Sequence, residues 1–65
     1  TQEQYWAKEV VWAVNKLENE GKNVSQNQVR RLTNMRKDNL IASLPHLEVI
    51  DSGIAEMIAK MLLYS

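Results

Sequence analysis

The stretch VSQNQVRRLTNMRKDNLIASLP, residues 24–45, holds a helix start, a break and a helix stop in close succession. Ser25 is placed to accept a backbone N–H, Gln28 three residues on to reach back, and Val24 to clasp Val29 across the cap, the pattern of a capping box with a hydrophobic staple. Beyond it Val29 and Leu32 fall on the inner side of a helix, while Asn27, Arg30, Arg31 and Asn34 fall on the opposite face. Asparagine tolerates positive φ better than most residues, so Asn34 is the expected break. A third short helix is predicted from Arg36 or Asp38 to Leu44, with Leu40, Ile41 and Leu44 inward and Asn39, Ala42 and Ser43 outward. Pro45 disfavours the α conformation at Leu44 and is expected to close this helix.

Working outward, Trp6, Val10, Ala13, Val14 and Leu17 repeat as a single helical stripe, which predicts a first helix from about Gln4 to Glu20. Gly21 is its expected left-handed cap. On the other side, Pro45 to Ile50 reads as a connector, whose HLEVI has no second strand to pair with. Asp51 or Ser52 then caps a last helix that turns Ile54, Met57, Ile58, Met61 and Leu62 inward. The expected fold class is all-α: one small four-helix domain over residues 1–65. Its second and third helices, joined by three or four residues, have the dimensions of a helix-turn-helix.

A chain of 65 residues buries only a small core, about 60% of the surface it exposes when unfolded. Its 45% apolar and 25% charged residues are the composition of a compact domain and not of a disordered tail. With no cysteine, neither a disulfide framework nor a thiolate metal site can brace it, so packing must. No apolar run of about 18 residues spans a bilayer and no charged-then-apolar leader opens the chain, which leads to the expectation of a cytoplasmic protein without membrane partners. The start at Thr1 and the end within an apolar helical pattern lead to the expectation of a piece of a longer protein. His46, the single histidine, has no nucleophile or carboxylate at a recognisable spacing, and Glu18 and Glu20 diverge on a helix because residues two apart do not face each other. There is no glycine-rich phosphate loop and no metal-ligand cluster. No enzyme, metal, cofactor or small-molecule substrate is expected.

The charge is unevenly placed. The formal net charge is zero, yet residues 22–37 contain Lys22, Arg30, Arg31, Arg36 and Lys37 and no carboxylate. Residues 1–21 carry Lys8 and Lys16 against Glu3, Glu9, Glu18 and Glu20; residues 38–65 carry Lys60 against Asp38, Glu48, Asp51 and Glu56. A basic flank on a neutral body is either an ordinary solvated face or a surface for a polyanion. In the second reading a helix-turn-helix sets one helix in the major groove of double-stranded DNA and braces it with the other. Lys22, Gln26, Asn27, Arg30, Arg31 and Lys37, with the free N–H groups opening the second helix, are the candidates to hold phosphates. Arg36, Asn39 and Ser43 are the candidates to read bases. A good bidentate pair, Arg36 with guanine or Asn39 with adenine, discriminates by about 1–3 kcal/mol. Asn39, Ala42 and Ser43 are short enough to let the backbone approach closely.

The layout of these residues resembles the C-terminal region of TnsD/TniQ-type target-selection proteins of bacterial transposons. Trp6 followed by Lys8 and Glu9 in the first helix, the glycine-bearing link at Gly21, the capped helix carrying Arg31 and the Leu44–Pro45 pair match that region over most of the chain. Asn34 stands where the family has a glycine, and Lys8 and Glu9 stand where arginine and aspartate are usual. The resemblance implies recognition of a DNA attachment sequence on behalf of a transposase the chain does not contain. Other domains of a parent protein, or other transposition proteins, would then be partners.

A rival reading is a protein-interaction or dimerisation module. Tyr5 and Trp12 lie seven apart on the first helix, nearly opposite Trp6, Val10 and Leu17. Either other helices cover Trp12, or the two aromatics form an exposed patch that docks another domain or a second copy. Leu63, pointing away from the last helix's stripe, and Tyr64 beside it pose the same question.

Overall fold

The computed structural model describes residues 1–64 and forms four α-helices, with no strand among those residues. α1 spans Gln2–Asn19 and starts earlier than its apolar stripe requires, because Thr1 caps it. The Thr1 Oγ1 accepts from the Gln4 backbone N–H at 3.3 Å, and the Thr1 amine donates back to the Gln4 Oε1 at 3.0 Å. Its other end closes as a Schellman motif: the Lys22 N–H donates to the Leu17 carbonyl at 2.9 Å, the Gly21 N–H to the Glu18 carbonyl at 3.1 Å, and Gly21 takes φ +69°.

α2 spans Gln26–Thr33, and the Ser25 Oγ accepts from the Gln28 backbone N–H at 3.2 Å, so only the serine half of the capping box forms. Asn34 ends it in the left-handed region, φ 57° and ψ 34°. The turn brings Met35 into the core, where it is buried, although it lies in the link and belongs to no periodic stripe.

α3 spans Lys37–Ile50 and runs straight past the expected stop, with Pro45 inside it. The predicted closure at Leu44 and the connector over residues 45–50 are therefore corrected. Pro45 removes one backbone donor, the one that would serve the Ile41 carbonyl. Both residues are on the exposed side of the helix, so the freed carbonyl does not face the core. Leu47, one turn beyond, is fully buried, and its burial favours continuing the helix. The break falls at Asp51, in an extended conformation, whose Oδ1 accepts from the Ile54 N–H at 3.1 Å and so starts α4, Ser52–Leu63.

Continuation through Pro45 also resets the register of α3. Its inner stripe is Leu40, Ser43, Leu44 and Leu47, an i, i+3, i+4, i+7 set. Ile41, expected inward, is 48% exposed, and Ser43, expected outward, has no exposed surface. α3 lies chiefly against α1 and α4; α2 rests mainly on α1, touches α4, and meets α3 only sparsely. The core sits where Val10, Val14 and Leu17 of α1 meet Val29, Leu40, Leu47 and Ile58.

Candidate functional site

The carboxylate-free stretch runs from the loop after α1, through α2 and its link, to the first residue of α3. Its cations differ in what holds them. Lys22 lies 3.4 Å from the Glu20 carboxylate, which Lys16 also approaches at 3.3 Å. Hydrogen bonds from Lys16 first and Lys22 second hold the Glu20 carboxyl below the ordinary carboxylate range. These pairs lie in solvent and contribute little to stability.

Arg30 is half-buried. Its Nε donates to the Met35 carbonyl and its Nη1 to the Gln26 Oε1, both at a long 3.4 Å, so the guanidinium ties the end of α2 to the link and does not stand on the outer face as expected. Arg31 is exposed and makes no ion pair among the described residues. Arg36 occupies the N-cap of α3, its Nε 3.7 Å from the Asp38 Oδ1 with both side chains largely in solvent. Lys37 is exposed beside it.

At the opening of α2, half-buried Gln26 and exposed Asn27 line a hollow of about 500 Å³ together with Val24, Ser25 and Met61. The Gln26 Nε2 is buried and has no hydrogen-bond partner among the described residues. Leaving such a donor unpaired costs roughly 1–3 kcal/mol. The first N–H groups of α2 add further donors and the positive end of the helix dipole. The opening N–H groups of α2, not the enclosed Gln26 amide, are the donors this corner presents to an anionic oxygen.

Of the residues predicted to read bases, Arg36 is exposed and Asn39, in the first turn of α3, is half-buried. Ser43 is corrected: it is enclosed, and its hydroxyl donates to the Leu40 carbonyl at 2.7 Å, so it reaches no ligand. Ile41, Ala42, Pro45 and Val49 form the outer face of α3 in its place.

On α1 the two aromatics share the outward side, Tyr5 60% and Trp12 48% exposed. Trp12 thus keeps about half of its surface in solvent and is not enclosed by the other helices. The Lys16 Nζ lies 6.0 Å from the Trp12 ring centroid, at the outer limit of a cation–π contact. Trp12, Asn15, Lys16, Asn19 and Glu20 border a shallow hollow of about 380 Å³. Leu63 and Tyr64 are also largely exposed, at the end of α4.

A further hollow, about 330 Å³, lies between the start of α1 and the end of α3, lined by Gln4, Lys8, His46, Val49 and Ile50. Sequence reasoning missed it because residues 45–50 were expected to be a connector; the signal was the apolar pair Val49 and Ile50 beyond the proline. Among the described residues no group of three or more histidines, cysteines and carboxylates is gathered to hold a metal ion. Among the described residues no helix is long and apolar enough to cross a membrane. Comparison with protein-family models, with curated proteins and with solved structures finds no match.

Proposed function

We propose that α2, its link and α3 act as a helix-turn-helix that binds duplex DNA. The observation that carries this reading is the pair of exposed guanidinium groups on either side of the left-handed turn at Asn34, Arg31 on α2 and Arg36 at the head of α3, in a stretch with no carboxylate. Five residues of chain span at most about 18 Å, so both can lie along one phosphate backbone. The opening of α2, with its first N–H groups beside exposed Asn27, suits a further phosphate oxygen. Arg36 and Asn39, at the N-terminal end of α3, are where a recognition helix meets base edges. Ile41 and Ala42 one turn on offer apolar contact to a thymine methyl. The resemblance to the transposon target-selection proteins points the same way: on that reading the module selects a DNA site for a transposase carried elsewhere.

A salt titration with duplex DNA tests the reading. The log affinity is expected to fall linearly with log salt, and Arg31→Ala to reduce the slope by about 1 on every sequence, because one phosphate contact is lost. Arg36→Ala is expected to relax sequence preference as well, by about 1–3 kcal/mol at one base pair. No duplex binding at low salt, or a slope indifferent to Arg31, overturns it.

The exposure of Tyr5 and Trp12 favours a second reading, a docking module. It requires association that Trp12→Ala abolishes and that duplex DNA leaves untouched.

A further inference from the structure

We propose that the C-terminal half of the outer face of α3, centred on Val49, is a contact surface between two copies of this chain. α3 is apolar on both sides: Leu40, Leu44 and Leu47 face the core, while Ile41, Pro45 and Val49 make an outward ridge at i, i+4 and i+8. A helix with apolar residues on two faces is normally covered on both. Here Val49 is 87% exposed, and Ile50 beside it is half in solvent. The ridge borders the hollow lined by Gln4, Lys8, His46 and Ile50, a recess of about 330 Å³ that can take a valine-sized group.

Charge identifies the occupant. Ile50 and His46 stand on the side of Val49 that faces Lys8 of α1, and Glu48 stands about 100° round the helix on the other side. Lys8 and Glu48 are both exposed, and neither makes an ion pair among the described residues. Opposite unpaired charges on opposite flanks of an apolar patch are self-complementary. A two-fold axis through Val49 sets each Lys8 against Glu48 of the second copy, so the pair forms twice, and it seats each Val49 near the other copy's hollow. One helix face and a small recess fall short of the about 800 Å² per partner of a standard interface, so the dimer dissociates on dilution. Val49 is about 20 Å of helix rise from Arg36, and the contact stands whether or not the other end of α3 binds DNA.

The test is a dilution series of the full chain, from about 1 mM to about 20 µM, followed by sedimentation and amide chemical shifts. A dimer is expected at the upper end, with concentration-dependent shifts at Lys8, His46, Val49 and Ile50. Val49→Asp abolishes it while the far-ultraviolet spectrum stays unchanged. Lys8→Glu and Glu48→Lys each weaken it at least tenfold, and the double exchange restores it. A chain that is monomeric at the upper concentration overturns the proposal and leaves the patch to a different protein. Association that survives Val49→Asp, that the double exchange does not restore, or that disappears with Trp12→Ala alone also overturns it.

Discussion

Ser43 sits between Leu40 and Leu47 on the inner face of α3 without any exposed surface, and its hydroxyl is satisfied within its own helix by the Leu40 carbonyl. That carbonyl is already part of the helix ladder, so removing the hydroxyl strands no buried partner. Ser43→Ala is therefore expected to change stability by no more than about 1 kcal/mol. Ser43→Leu forces extra volume into a closed contact and is expected to destabilise by about 1–3 kcal/mol. Urea unfolding of the two variants checks both figures, and neither the alanine variant's fold nor any duplex affinity should move. A serine whose loss as alanine cost as much as its replacement by leucine would be held by something other than its size. Arg30 follows a similar logic: it has the chemistry of a phosphate ligand, yet its contacts to Met35 and Gln26 make it a brace for the turn.

At the scale of the element, α3 depends on how a helix tolerates proline. Pro45 withholds one hydrogen bond from the Ile41 carbonyl on the solvent side, while Leu47 buries itself one turn later. An alanine at this position restores the missing donor, and an interior proline costs a helix about 3 kcal/mol relative to alanine. Pro45→Ala is thus expected to stabilise the chain by about 1–3 kcal/mol, less than the full amount wherever the backbone has already relaxed around the ring. The rise in urea midpoint, together with slow exchange of the backbone N–H that the substitution introduces, measures it; a lower midpoint would mean that the ring itself packs usefully. The same residue explains which parts of the fold were legible in the sequence. Ser25, Asn34 and Gly21 announce helix ends through their own side chains or backbone freedom, so the boundaries of α2 and the close of α1 could be read locally. The end of α3 could not, because the local preference of Leu44 opposes helix and only the burial of Leu47 by α1 and α4 outweighs it. Once the helix continues, Ile41 turns out and Ser43 turns in, and a predicted base-reading residue is lost while the hollow at Val49 appears. Of the candidate site, the basic stretch and the two aromatics were visible as composition and spacing. That Arg30 is occupied, while Arg31 makes no ion pair among the described residues, was not, because the Arg30 contact depends on the position of Met35.

Across the whole molecule, α2 and α3 touch each other sparsely, so their relative orientation is set by what each rests on, chiefly α1 with α4. Leu40 is fully buried on the face of α3 that meets those helices. Truncating it to alanine is expected to cost about 2–5 kcal/mol through lost transfer energy and the cavity left behind. At about 0.05–0.15 kcal/mol per residue, a chain of 65 residues has only about 3–10 kcal/mol in total. Leu40→Ala is therefore expected to lower Tm by about 10–30 °C or to unfold the chain outright. Trp12→Ala, at a half-exposed site, is expected to cost less, about 1–2 kcal/mol. Thermal unfolding followed by far-ultraviolet dichroism separates the two. On the helix-turn-helix reading that packing positions Arg31 and Arg36, so the Leu40 variant should lose duplex affinity in step with its helicity, whereas the Trp12 variant should keep both. A Leu40 variant that unfolds yet still binds duplex with an unreduced salt slope would show that the basic stretch acts as an unstructured polycation, and the helix-turn-helix reading would fall with it.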